Sequence, residues 1–397
     1  MKTAKWLDCI VPSPTMAVNQ KVIELKSKGK KIVSLVVGEP DFETPDFIKE
    51  AIAVALKNNL TRYTEAQGIL SLREAICAKL KRDNNLNYDA SQIIVTCGAK
   101  QAISVALFVL IDSGEEVLVP SPYWVSYPDM VKLARGVPVF VETSAKNRYK
   151  LTIEDLEKAY TPKTKVLILN NPSNPTGVLY NKEELLEISE WCLKKGVVVI
   201  SDEVYEKIVF SGRKFVSTAS CSEDIYNNTV TINGLSKSHC MTGWRVGYAA
   251  APKKVISAMT NFQSHFLSHI ATFIQHASVV ALNDESFIPK MVLAYEERVN
   301  TTVELMKEQM PLSECVVPDG AFYLFPKVNK YYGKSYNGKT ITGSIDLTTF
   351  LLEEANVAVV PGLAFGMDDN IRLSVATSLE EIRDGLQKIG AALGKLK

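Results

Sequence analysis

The chain of 397 residues has little excess charge of either sign: 45 Lys and Arg stand against 44 Asp and Glu, a formal net charge of +1. That balance gives no hold on a polyanion, and no basic run stands out, so nucleic acid is not an expected partner. Histidine is scarce, with four in all. His265, His269 and His276 fall at spacings of four and seven, which on a helix share one face. No acidic ligands accompany them or His239, and no metal is expected. Cys9, Cys77, Cys97, Cys192, Cys221, Cys240 and Cys315 show no paired metal spacing. An odd, dispersed set suits reduced thiols in a reducing compartment. No apolar run approaches the roughly 20 residues of a membrane span. The start, Met1 to Trp6, lacks the apolar stretch of a secretory signal. Repeats and low-complexity segments are also missing. A soluble, cytoplasmic protein without a membrane partner is expected.

What is present is a large apolar content, 46% of residues, enough for a sizeable core. The length suits one large and one small domain. Seven strand candidates fill the middle: Gln92–Thr96, Glu116–Pro120, Val137–Glu142, Lys165–Asn170, Val197–Ser201, Thr229–Asn233 and Val246–Ala250. Helical patterns lie between them, among them Ala99–Ile111, Lys182–Lys195 and Lys253–His265. Such alternation predicts an α/β fold with a mainly parallel, seven-stranded sheet flanked by helices. The consecutive apolar runs VLIL and VVVIS fit strands buried on both faces. The ends read differently. The pattern predicts a helix near Asn19–Lys28, a long helix from His276 to about Met310, and a strand at Ala321–Lys327. A helix near Asp346–Ala355, a strand at Val357–Val360 and a last helix from Ser378 follow. These form a smaller α+β domain built from both termini, residues 1–47 and 291–397, around a large domain of 48–290.

Ligands of open α/β sheets bind beyond the carboxyl ends of the strands. After the first strand come Gly98, Ala99 and Lys100, a glycine turn that opens a helix toward an anion, although many turns look alike. After the second comes Trp124, either a plate for a planar ring or core filling. Asn174 lies between two prolines after the fourth, as a fixed amide or an ordinary turn residue. Asp202 and Tyr205 follow the fifth. A carboxylate there needs a partner or caps a helix. The sixth leads into Ser236, Lys237 and, eight positions on, Arg245. A held, partly desolvated lysine can attack a carbonyl, and an arginine fork suits phosphate. Singly, each of these is commonly surface or core. Together they match a planar, phosphorylated pyridine aldehyde, with an amine for the carbonyl and a carboxylate for the ring nitrogen.

The ordered motifs GEPDF (38–42), RYTEAQG (62–68), SPYWVSYP (121–128), NNPSNPTG (170–177), SDEVYE (201–206), SKSHCMTGWRVGY (236–248), GAFY (320–323) and RLSVAT (372–377) carry a resemblance. The chain resembles class I, fold type I, pyridoxal-phosphate-dependent aminotransferases, in the subgroup that holds many bacterial aspartate aminotransferases. The likeness runs from about Pro12 to the last helix. It implies pyridoxal 5'-phosphate as cofactor and Lys237 as Schiff-base lysine and general base. It implies Asp202 on the pyridinium nitrogen, Tyr205 and Asn174 on the ring's phenolic oxygen, and Trp124 stacked on the ring. Ser236, Arg245 and the turn of Gly98, Ala99 and Lys100 would hold the phosphate. Tyr63 would reach the phosphate of a neighbouring subunit, implying a homodimer with shared sites. Arg372 and the Gly38 backbone would bind the substrate α-carboxylate, with Asn174 assisting.

The implied reaction moves an amino group from an L-amino acid to 2-oxoglutarate in ping-pong fashion, through a pyridoxamine phosphate form. Lys100, Ser13 and Thr15 stand where acidic substrates are read in the subgroup, which favours aspartate. Two departures point elsewhere. Phe266 and Leu267 replace a usual pair of threonines, and His239 and Cys240 replace an aromatic-alanine pair. Phe266 and Leu267 either make a more apolar pocket or pack a helix. The alternatives are aromatic, prephenate, alanine or kynurenine transamination, or a carbon–sulfur lyase on the same cofactor.

Overall fold

The computed structural model describes residues 2–10 and 14–397. A seven-stranded sheet carries the fold. Its strands are β1 (Ile93–Cys97), β2 (Glu116–Ser121), β3 (Val137–Glu142), β4 (Thr164–Asn170), β5 (Val198–Asp202), β6 (Thr229–Gly234) and β7 (Val246–Ala250). Their order is β1-β7-β6-β5-β4-β2-β3, with β7 antiparallel to both its neighbours and every other pair parallel. β6 is buried at every residue, as strands covered on both faces must be. From β2 the chain runs outward to β3. From β4 it runs the other way, to β5 and β6. The reversal between β2 and β4 is the point at which open sheets leave a crevice.

The covering helices form where the sequence supplies their ends. Helix Lys182–Lys195 starts at Asn181, whose side chain accepts from the Glu184 N–H while Glu184 reaches back. It ends at Gly196, with φ +70°.

The outer segments build a second apolar core. Val33–Ser34 pairs in parallel with Val357–Ala358. Val360–Pro361, Ile371–Ser374 and Tyr323–Leu324 form a small antiparallel sheet. Val33 and Leu35 share a core with side chains from Ile288 to Leu396, and Tyr205, Ile208 and Phe210 join it from the large sheet's side. Tyr205 therefore sits on the seam.

Several element expectations need correction. The stretch from His276 to Met310 is two helices, Thr272–Asn283 and Ile288–Gln309. Pro289 stands in the first turn of the second, where a missing N–H costs nothing, but inside one long helix it would clash. Asp284 accepts from the Ser286 N–H and helps shape the break. Helix Lys253–Phe266 ends before His269, so the three histidines do not share one helix face. Ala321–Lys327 keeps strand structure only at Tyr323–Leu324, and Val357–Val360 is two short strands rather than one. The helix near Asp346–Ala355 begins at Ser344 and finishes as a π-helical turn, Leu351–Ala355. No helix among the described residues is long and apolar enough to cross a membrane.

Candidate active site

A cavity of about 370 Å³ opens beyond the carboxyl ends of β2, β4, β5 and β6. Lys237 lines it from the four-residue helix Leu235–Ser238, which follows β6 directly. Its Nζ donates to the Gly38 carbonyl at 2.5 Å. Burial, with Arg372 and Arg245 nearby, pushes the Lys237 amine down to about 8, although Glu39 and Asp202 pull the other way. A lysine so placed is far more often neutral near neutral pH than a surface lysine.

Asp202, the last residue of β5, is buried against the same cavity. Its Oδ2 accepts from the Tyr127 hydroxyl at 2.6 Å. Burial raises its carboxyl to about 6, opposed by the Tyr127 hydrogen bond, the Val204 N–H and Lys237. Asn170 fixes this strand end. Its Nδ2 donates to the Asp202 carbonyl at 3.0 Å, while its Oδ1 accepts from the Asn174 N–H at 2.7 Å.

Tyr205, Asn174 and Arg372 form the wall toward the second core. The Tyr205 and Tyr323 hydroxyls share a 2.9 Å hydrogen bond. Arg372 is buried, with Nη1 donating to Asn174 Oδ1 at 3.1 Å and Nη2 to the Val36 carbonyl at 2.7 Å. The guanidinium lies over the Tyr323 and Phe365 rings, 4.5 and 4.9 Å from their centroids. Its Nε has no partner among the described residues. A buried guanidinium paired only with neutral groups is a strong receptor for a carboxylate.

The opposite end is built for an anion. Helix Gly98–Leu110 begins directly after β1, and its first N–H groups lack intrahelical acceptors. Gly98 has φ +77°, and a Cβ there would lie 2.6 Å from Arg245 Nη2. A Cβ on Gly247 would fall 2.2 Å from the Ala99 nitrogen. Both positions need glycine so that the turn can lie against Arg245 and β7. Arg245 itself holds φ +59°, a left-handed conformation that costs a non-glycine residue about 1–2 kcal/mol. Its Nη1 donates to the Thr242 carbonyl at 2.8 Å. Ala99, Ser236 and Arg245 line the cavity here, while Gly98 stands just behind. Lys100 also lines it, with Nζ 4.9 Å from the centre of the Trp124 ring. Partial burial and the Arg245 charge hold the Lys100 ammonium below the ordinary lysine range.

Some expected residues lie elsewhere. Tyr63 is 92% exposed, its ring edge-on to His269 and outside this chain's cavity. Phe266 and Leu267 are also outside it, 68% and 40% exposed, with Phe266 tilted on Phe262. Ser13 lies outside the described residues, as does the Thr15 side chain. Several contributors escaped the residue-by-residue reading, among them Tyr127, Tyr323 and Ile103, which line the cavity. The signal for Tyr127 was the buried carboxylate's need of a donor. Tyr323 stood in GAFY without a role. Ile103 looked like any core residue of its helix.

The profile of the family described as "Aminotransferase class I and II" matches residues 30–389. The chain is 47% identical to a "Probable aspartate/prephenate aminotransferase" of Rickettsia bellii, covering 98% of both chains. It is 45% identical to an "Aspartate aminotransferase" of Geobacillus stearothermophilus, again over 98% of both. Its structure superposes on the aspartate aminotransferase of Rhizobium meliloti with TM-score 0.96, 38% identity and full coverage of both chains. The amine, carboxylate and guanidinium around one cavity thus stand within a likeness that spans the whole chain, which belongs to the class I and II aminotransferase family.

Proposed function

We propose that this aminotransferase uses pyridoxal 5'-phosphate to move the amino group of aspartate to 2-oxoglutarate. The observation that carries the reading is the convergence of Lys237, Asp202 and Arg372 on one cavity. The residues present fit the cofactor: the Arg245 guanidinium packs against Gly98 at a helix start with free N–H groups, and a buried carboxyl meets the cavity at Asp202. Ser236, Arg245 and the Ala99 turn would hold the phosphate, Asp202 the ring nitrogen, Tyr205 and Asn174 the phenolic oxygen, and Trp124 the ring face. When bound, the cofactor supplies an aldehyde that accepts and returns the amino group, and a ring that draws electrons from the substrate α-carbon.

Lys237 is the group that moves the α-proton. Its lowered basicity leaves a useful neutral fraction, and the Gly38 carbonyl fixes its direction. Tyr127 orients the Asp202 carboxylate and favours its ionised form. Arg372, which lines the cavity and is paired only with neutral groups, binds the α-carboxylate beside Asn174 and Gly38. Lys100 at the cavity wall supports an acidic side chain on the substrate. A second reading, additional activity on aromatic or prephenate-type substrates, is supported by the apolar wall of Ile103, Trp124 and Val125. The name of the Rickettsia bellii relative agrees with it.

Tyr63, exposed and away from its own cavity, supports a homodimer in which it serves the neighbouring phosphate site. Seven free cysteines support a reducing, cytoplasmic setting. Residues 48–290 form the cofactor-binding domain, and 1–47 with 291–397 the smaller one. Both cuts fall inside helices, Asp46–Lys57 and Ile288–Gln309; Phe47 packs with the large domain's core and Ile288 with the smaller domain's.

Initial-rate kinetics with aspartate and 2-oxoglutarate test the reading. Parallel double-reciprocal lines are expected, and Lys237→Ala abolishes turnover. Intersecting lines, or near-native turnover by the Lys237→Ala protein, would overturn it.

A further inference from the structure

The SDEVYE segment has two faces. Asp202 and Tyr205 line the cavity. Ser201, Glu203 and Glu206 turn away from it, into protein. Glu206 is ion-paired with Lys79 and accepts from Asn84 Nδ2 at 2.6 Å. Glu203 has no such cation among the described residues. It is wholly buried. Its Oε1 accepts from Ser201 Oγ at 2.8 Å, Ser217 Oγ at 2.9 Å and the Thr218 N–H at 3.1 Å. Its Oε2 is buried without a partner.

The buried hydroxyls of Tyr88 and Thr231 lie close to each other on the same side. Thr231 stands opposite Ser201 in the β5–β6 register. The Thr231 hydroxyl and the Glu203 carboxyl both act on the Tyr88 phenol. A hydroxyl pair beside an unengaged carboxyl oxygen offers acceptors to a carboxylic O–H.

An ionised carboxylate in this place would be a buried charge with no counter-ion, beside a second carboxylate on the next turn. Burial first, then Glu206, pushes the Glu203 carboxyl up to about 8, against the pull of its three donors.

We propose that Glu203 is a positioning residue kept as a neutral carboxylic acid, its Oε2–H directed to the side of the Tyr88 and Thr231 hydroxyls. The cluster holds the 202–205 segment from behind. Glu203 directly follows Asp202 and extends the sheet ladder by one bond, its N–H donating to the Ile232 carbonyl at 2.9 Å. Fixing its side chain therefore fixes the neighbouring Asp202 against Tyr127. The effect on turnover rests on the role given to Asp202 above; the protonation state does not.

The test is difference infrared spectroscopy of the native holoenzyme against Glu203→Gln at neutral pH. A protonated-carboxyl carbonyl band is expected in the native protein and absent from the variant. Glutamine keeps both an acceptor and a donor, so Glu203→Gln retains most of the native kcat and its pH profile. Glu203→Leu strands three donors; its kcat falls about tenfold and the acid limb of its pH profile shifts. No band in the native protein overturns the neutral acid. A Glu203→Leu enzyme with native kcat and pH profile overturns the positioning role. If Glu203→Leu does not fold, the infrared difference still decides the neutral acid, and Glu203→Asp, which withdraws the carboxyl by one methylene, takes its place for the positioning role: native kcat and pH profile in that variant overturn it. Should native protein fail to transaminate, the band is still expected, so the two readings fail separately.

Discussion

Tyr127→Phe removes one hydrogen bond and almost nothing else. The phenol is buried and donates to Asp202 Oδ2 at 2.6 Å, the short length of a charge-assisted bond. Phenylalanine keeps the ring, which stands edge-on to Trp124 with centroids 5.3 Å apart. A hydrogen bond to an ionised group contributes about 1.5–3 kcal/mol, which equals about 1–2 pH units of carboxyl acidity. Asp202 is already pushed up to about 6 by burial, with Tyr127 the first of the groups that oppose it. Without that donor the carboxyl is mostly protonated at neutral pH, and a neutral acid cannot stabilise a positive ring nitrogen. At pH 7 the ionised fraction falls from about 0.9 to about 0.1–0.5, so the expected loss in kcat/KM is about 2–10-fold and approaches about 10–100-fold only at acid pH. It should shrink as pH rises, because the acid limb moves up by about 1–2 units. The assay is kcat/KM for aspartate across pH. A profile superimposed on the native one refutes the reasoning, and so does an equal loss at every pH, which would point to damaged packing rather than acidity.

Gly98→Ala is expected to weaken pyridoxal phosphate binding. The residue holds φ +77°, and its new Cβ would meet Arg245 Nη2 at 2.6 Å. Equilibrium titration of cofactor-free protein checks this, and an unchanged Kd counts against the anion turn. His239 donates from Nε2 to the Ala281 carbonyl at 3.0 Å and accepts at Nδ1 from Ser238 Oγ at 2.8 Å. Burial pushes it down to about 4, so between about pH 4 and 6.5 the unfolded chain binds the extra proton and stability rises with pH. The rise amounts to roughly 3 kcal/mol. Asp202 and Glu203, with carboxyls raised to about 6 and about 8, act in the opposite direction, so the test is the difference: the urea midpoint of native protein relative to His239→Gln should rise from pH 4 to 7, and a constant difference counts against it.

The large sheet was legible because its strands are short runs rich in apolar and β-branched residues between turn residues. All seven strands fall within a residue or two of expectation. The stretch from His276 to Met310 was read as one long pattern although the polar run Asn283–Ser286 interrupts its apolar periodicity and Pro289 marks a restart. The small-domain strands shrank because pairing across distant segments, such as Leu373 with Leu324, decides their length. In the site, residues that face the cavity from strand ends could be found from strand order alone. Tyr127 and Tyr323 could not, because their roles depend on hydrogen bonds to Asp202 and Tyr205 across 75 and 118 residues of chain. Phe266 and Leu267 looked like pocket residues by their place in the motif order. Their exposure on the surface removes the simplest case for an apolar pocket within one chain.

The central claim is a cofactor-bearing Lys237 that exchanges amino groups with acidic substrates. Rapid mixing of the cofactor-loaded protein with one amino acid at a time tests it most directly, following the loss of the lysine-bound cofactor band and the rise of the pyridoxamine phosphate band. The account predicts fast conversion by aspartate and glutamate, and no lysine-bound band at all in Lys237→Ala. No conversion by any amino acid would contradict the aminotransferase reaction, and conversion by aromatic or small apolar amino acids with aspartate inert would contradict the acidic specificity assigned to Lys100.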